Sequence, residues 1–138
     1  MSPERETCDT SVLIPAFLPW HEHHDVALDA MRKVMAVPAH VLVECYSVLT
    51  RLPAPHRLSA TIAAELVARV PGEPLVLPAE AYAVTLRRLA EAGIRGGAAY
   101  DGLVGATAAA HGRRLVTLDR RALPTYQAVG AIHRTLTA

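Results

Sequence analysis

Aromatic residues make up only 4% of the 138-residue chain, which has one Trp and one Phe. The core must therefore be filled by Ala, Val and Leu. That favours helices packed on a buried parallel sheet over an aromatic-rich β-sandwich. Cysteine is equally scarce. Cys8 and Cys45 form no Cys-x-x-Cys pair, and a domain of this size needs no disulfide staple. Both read as reduced, buried, small apolar residues of a cytoplasmic protein. No apolar run is long enough to span a bilayer, and the segment Met1 to Thr7 is too polar and charged for a secretory signal. Lysine is nearly absent: Lys33 is the only one among fourteen cationic side chains. Arginine suits bidentate phosphate contacts, but high-GC coding enriches it too, and thirteen acids bring the net charge to +1. Charge alone neither demands nor excludes a nucleic-acid partner.

Missing motifs narrow the field further. A Rossmann cofactor domain wants Gly-x-Gly-x-x-Gly after its first strand, and Asp9-Thr10-Ser11-Val12 has no glycine. A haloacid-dehalogenase-type phosphatase needs Asp-x-Asp, whereas Ser11 stands two after Asp9. A receiver domain needs a lysine at a late strand end, and Lys33 falls early, in a helical stretch.

What is present is an alternation of short β-like and longer helical apolar patterns. The first strand ends over Glu6 to Asp9. Helices are predicted over Thr10 to Leu18, His23 to Val37, Val41 to Leu52 and Ser59 to Val70, with prolines and a Ser59 cap as punctuation. A β-like run at Pro74 to Leu77 follows, then helices over Glu80 to Ala92 and Ala98 to His111, each ended by a glycine. Leu115 to Leu118 is a strand, Arg120 to Ala128 a short helix and Ala131 to Leu136 a last strand. The order implies one α/β domain over 1–138, with a mainly parallel central sheet flanked by helices.

In open parallel sheets ligands gather at the carboxyl ends of strands. Asp9 closes the first strand and Asp119 closes Leu115-Val116-Thr117-Leu118. Singly, each serves as well as a helix cap. Glu44 and Asp101 stand inside apolar helical stretches, where an acid needs a partner. Arg51, seven residues after Glu44, is a candidate partner on the same face. For four such acids together, a cation site is the simpler explanation. Clustered carboxylates repel one another, and a bound divalent ion relieves that.

These residues carry a resemblance. Cys8-Asp9-Thr10-Ser11-Val12-Leu13-Ile14 resembles the opening motif of PIN domains. Val43-Glu44-Cys45-Tyr46-Ser47, Tyr100-Asp101-Gly102-Leu103-Val104 and Leu115-Val116-Thr117-Leu118-Asp119 resemble the later acidic positions, in the same order. The chain's size, with no added domain, is similar to the VapC toxins. The resemblance implies a PIN-like three-layer fold and a ribonuclease dependent on Mg²⁺ or Mn²⁺, hard ions that prefer carboxylate oxygen. Asp9 and Asp101 would be direct ligands. Glu44 and Asp119 would act directly, through water or at a second metal. Thr10 and Ser11 would orient Asp9 or a phosphate oxygen, or cap the helix, and Thr117 would play a lesser part. No histidine belongs to this set. The implied partners are an RNA substrate (transfer or ribosomal RNA), a cognate antitoxin and a second copy of the chain in a homodimer. The antitoxin is expected in an apolar groove near Val41 to Leu52 and Ser59 to Val70. A stand-alone RNA-processing nuclease and a non-catalytic PIN-like interaction module are the alternatives.

Other features are read more plainly. His21-Glu22-His23-His24-Asp25 is a polar helix start that could also line the cleft. Trp20, Met31 and Met35 are taken as core or interface residues rather than substrate-stacking groups. The pairs Arg113-Arg114 and Arg120-Arg121 flank the strand that delivers Asp119, near enough to meet an RNA backbone.

Overall fold

The computed structural model describes residues 5–137, so most of the Met1 to Thr7 segment lies outside it. Three strands, β1 (Glu6–Cys8), β2 (Arg114–Thr117) and β3 (His133–Thr135), pair in that order and all run parallel. Around them lie α1 (Thr10–Phe17), α2 (His24–Met31), α3 (Ala39–Thr50), α4 (Ala60–Val67), α5 (Tyr82–Glu91), α6 (Ala98–Ala110) and α7 (Leu123–Ala128). The expected α/β class with a parallel sheet is what the chain forms. Thr7, Cys8, Leu115, Val116 and Thr117 are all fully buried, as strands covered on both faces must be. The core around them is aliphatic, built on residues such as Val12, Leu13, Val41 and Leu49. Tyr126 is the one aromatic side chain among the largest fully buried ones. Cys8 and Cys45 are buried free thiols, as read from the sequence. No helix among the described residues is long and apolar enough to cross a membrane.

Two elements differ from expectation. The helix predicted over His23 to Val37 stops at Met31. Val34 instead forms a parallel bridge to Glu6, and the Thr7 hydroxyl donates to the Ala36 carbonyl at 2.8 Å. The outer edge of β1 would otherwise leave buried polar groups unpaired, and Val34 to Val37 satisfies it in extended form. Val34 and Val37, β-branched, and Pro38, which lacks a donor, suit that conformation better than a helix. The run Pro74 to Leu77 makes a single bridge, Leu75 to Pro38, rather than a full strand.

The register fixes the site. Cys8 pairs with Val116, and the Asp9 N–H donates to the Val116 carbonyl at 3.3 Å. Asp9 therefore leaves the sheet level with Thr117, and parallel pairing brings the end of β2 to the same edge.

A candidate acidic active site at the carboxyl ends of the strands

Asp9 is 5% exposed and holds four hydrogen bonds. Its Oδ1 accepts from the Ser11 backbone N–H at 3.1 Å and the Ser11 hydroxyl at 2.5 Å. Its Oδ2 accepts from the Thr117 hydroxyl at 2.5 Å and the Tyr126 hydroxyl at 2.6 Å. Asp9 is at once the N-cap of α1 and a clamped carboxylate, so the cap is Asp9 itself and Ser11 is one of the groups that hold it. Thr10 is not part of this clamp, and its buried hydroxyl lies on the Cys45 side. Ser11 also accepts from the Leu118 N–H at 2.8 Å, and Thr117 accepts from the Asp119 N–H at 3.0 Å. These hydroxyls tie the start of α1 to the loop after β2. Asp119 in turn caps the next turn, its Oδ1 accepting from the Arg121 N–H at 3.0 Å.

Tyr126 is a contact that sequence reasoning missed. Nothing around it marks it as polar and functional, but Gly105 was a readable signal. A Cβ at Gly105 would stand 3.0 Å from the Tyr126 ring and 2.9 Å from Val129. The missing side chain lets α6 approach α7 closely enough for Tyr126 to reach Asp9.

Asp101 lies half-buried in the first turn of α6. Burial, and then the charges of Glu44, Asp119 and Asp9, push its carboxyl up to about 6, against a small lowering by His40. Burial also raises Asp9, with the Asp119 charge adding, although its three hydroxyl donors oppose the rise. The four predicted acids thus share one electrostatic neighbourhood. Among the described residues, neither Asp9 nor Asp101 has an arginine or lysine ion pair.

Glu44 has a different partner from the one expected. His40 Nε2 lies 3.4 Å from its carboxylate, whereas Arg51 Nε points at Ser47 Oγ, 3.4 Å away. Residues four apart sit one above the other on a helix, while seven places them two turns apart, beyond a short side chain's reach. His40 also stacks parallel to Tyr100, with ring centroids 5.4 Å apart and planes 3° apart. The expectation that no histidine belongs to the acidic set is therefore corrected: His40 does, placed there by α3 packing on α6.

The donor chemistry fits a hard divalent ion, since it is all carboxylate and its members raise one another's proton affinity. Among the described residues, no group of three or more His, Cys, Asp or Glu side chains is already drawn together as a cation cage. Beside the acids opens a cleft of about 370 Å³, whose lining includes Ser11, His21, His23, Asp119 and Arg121. Of the His21 to Asp25 segment, His21 and His23 line it, and α2 begins only at His24. Trp20 and Met35, read as core or interface, are 51% and 62% exposed. Met31 is partly buried, packed against the main core.

Comparison with known proteins agrees with this fold. The model of the PIN domain family matches residues 7–127. Ribonuclease VapC40 of Mycobacterium tuberculosis is 46% identical over 120 residues, 86% of this chain and 90% of the relative. Ribonuclease VapC27 of the same species is 44% identical over 124 residues, covering 88% and 90%. The crystal structure of PAE2754 from Pyrobaculum aerophilum superposes with a TM-score of 0.62 over 94% of this chain and 90% of that one. At 23% identity, that likeness speaks for the fold alone.

Proposed function

The chain belongs to the PIN-domain family, among the VapC-like ribonucleases, and from that premise we propose that it is a Mg²⁺- or Mn²⁺-dependent endoribonuclease toxin held in check by an antitoxin. The observation that carries the metal-site reading is the set of half-buried and buried acids at the strand ends. Asp101 and Asp9 are raised by burial and by one another's neighbours, and neither meets an arginine or lysine among the described residues. Such a set is costly unless a cation completes it.

Asp9 and Asp101 would hold the cation, with Glu44 and Asp119 alongside. When bound, a divalent ion lowers the pKa of water and neutralises charge on the phosphoryl group. The chain's own residues supply the rest. Ser11, Thr117 and Tyr126 fix the orientation of Asp9 before substrate arrives, so no reorganisation is needed during the reaction. His40 steadies Glu44. Arg121, exposed at the cleft, is placed to meet a phosphate. Hydrolysis by water in line with the leaving oxygen would leave 5′-phosphate and 3′-hydroxyl ends.

The partner reading rests on a second feature. Between α3 and α4 opens an apolar groove of about 370 Å³, lined by Leu42, Val43, Tyr46, Ala64, Val67 and Ala68. Val43 is 68% exposed at its rim. An amphipathic helix of the antitoxin would fill it. Tyr82 and Leu86, four apart and exposed on α5, offer another apolar face, which we assign to a second copy of the chain. The reading is of a cytoplasmic protein.

The test is cleavage of transfer and ribosomal RNA in Mg²⁺ or Mn²⁺, with and without EDTA. A substrate carrying one 2′-deoxy nucleotide just upstream of the cut should still be cleaved and yield 5′-phosphate ends. A block there, with 2′,3′-cyclic phosphate ends on ordinary RNA, would overturn the hydrolytic reading. Expression of the active chain alone should arrest growth, and the neighbouring gene product should restore it. Unchanged growth counts against the toxin role.

A further inference from the structure

The cleft beside Asp119 is approached by four rings in succession. His56, from the loop after α3, stacks on Trp20 with centroids 4.0 Å apart and planes 25° apart. Trp20 lies 5.9 Å from His21, and His21 lies 5.6 Å from His23. His21 and His23 line the cleft that ends at Ser11, Asp119 and Arg121.

Trp20 is 51% exposed, although an indole gains more from burial than almost any other side chain. The His56 stack holds it in place, so a ligand landing on its open surface loses little side-chain entropy. At the inner end, the Arg121 side chain is 96% exposed, its contact with Asp119 being a loose 3.6 Å. An aromatic surface that leads to an exposed guanidinium held loosely beside Asp119 matches a strand offering a base and then a phosphate.

We propose that this row of rings is the seat of an unpaired nucleotide of the RNA, its base stacked on Trp20 and its phosphate beside Arg121, next to the bond to be cut. The proposal rests on the ribonuclease reading above and adds a specificity to it. A base inside a duplex has no free face to stack on the indole, so the site selects single-stranded segments. A protein partner is the less fitting occupant, because this cleft carries Asp119, Arg121 and two histidines whereas the α3–α4 groove is lined by apolar side chains. The apolar α3–α4 groove shares none of the cleft's lining residues.

Trp20 is the only tryptophan, so its emission reports this position alone. Binding is measured on the Asp101→Asn chain in Mn²⁺, with cleavage held off. The probe is an end-labelled single-stranded oligoribonucleotide of about ten nucleotides, followed by anisotropy and by Trp20 emission together. Saturable quenching is expected with the single strand and not with the same sequence as a duplex. In the active chain, Trp20→Ala should raise KM roughly tenfold with kcat little changed, and Trp20→Phe should recover most of the loss. RNA binding with unaltered Trp20 emission, together with wild-type kinetics for Trp20→Ala, would overturn the proposal and leave the nuclease intact. Quenching by the antitoxin alone would also overturn it, assigning the rings to the protein partner. If no RNA is bound or cleaved by any version of the chain, the ribonuclease reading itself falls. Thermal melts of the Trp20 variants guard against a folding defect.

Discussion

A buried acid stands at each end of β1, Glu6 as its first residue and Asp9 just past its last, and the two are treated in opposite ways. Glu6, at the amino end, is 1% exposed. Arg134 grips it with two bonds, at 2.9 and 3.0 Å, and Arg114 adds a third at 2.9 Å. Burial alone would raise the Glu6 carboxyl, but the two arginines more than offset this and hold it below the ordinary value. Asp9, three residues on, is nearly as buried but receives hydroxyls and one backbone N–H, and its carboxyl is raised. The first acid has its counter-charge built in and serves the fold. The second is oriented but left un-neutralised, with three more acids around it, which is the arrangement a cation-dependent site needs.

The sharpest way to break this comparison is to neutralise each acid in turn. Asp9→Asn and Asp101→Asn should each lower kcat/KM by roughly 10²–10³ or more, by deleting negative charge where a cation is held. Asp101→Asn should melt at or above the wild-type temperature in EDTA, because an un-neutralised acid has been removed, whereas Asp9→Asn also gives up the bonds its second oxygen accepts from Thr117 and Tyr126 and should gain less. Glu6→Gln should do the reverse. It leaves two arginines, each about a third exposed, facing a neutral amide, so water screens part of the loss and the cost falls below the ~3–5 kcal/mol of a fully buried pair. Urea denaturation would show that loss, while the folded fraction keeps wild-type kcat. Loss of activity in Glu6→Gln at matched folded fraction would end the division of labour.

Tyr126→Phe probes the clamp alone. It removes one donor to Asp9 without changing ring volume and should weaken Mn²⁺ affinity or activity about 10–100-fold. Gly105→Ala should act in the same direction, since its methyl would meet the Tyr126 ring. Isothermal titration with Mn²⁺ checks both variants, and a wild-type affinity for Tyr126→Phe would show that three donors suffice.

The smallest effect is on pH dependence. Asp101, raised to about 6, holds a proton in the metal-free fold that the unfolded chain has already released. Its contribution to stability is fully present below its ordinary value of 3.8 and is lost as pH rises through about 6. Glu6 has the opposite sign: its contribution is present above its ordinary 4.5 and is lost as pH falls through its lowered value. Melts in EDTA from pH 7 down to pH 3 should therefore gain stability first and lose it later. Asp101→Asn should reduce the early gain, and Glu6→Gln should blunt the later loss. Mn²⁺ affinity should also fall below about pH 6, because the ion competes with the Asp101 proton.

The order of the elements, the parallel sheet and the four acids were all legible in the chain. Hydrophobic periodicity is a local signal, and so is an acid standing in an apolar run. The amino-acid sequence by itself thus determined which segments become helices and strands, and which carboxylates are out of place among apolar neighbours. Partners contributed by distant elements were not legible. Tyr126 is 117 residues from Asp9, and its hydrogen bond exists because Gly105 lets two helices approach. His40 joined the acids through its one-turn spacing from Glu44 and the packing of α3 on α6, where the sequence had suggested only Arg51. The helical pattern through Val37 gave way because the edge of β1 needed hydrogen-bond partners, a requirement set by an element earlier in the chain. Glu6 and Asp9 look alike in the sequence, both acids of one strand. Only the tertiary structure decided that arginines from β2 and β3 reach the first and that hydroxyls reach the second, because pairing and charge compensation depend on which strand lies next to which.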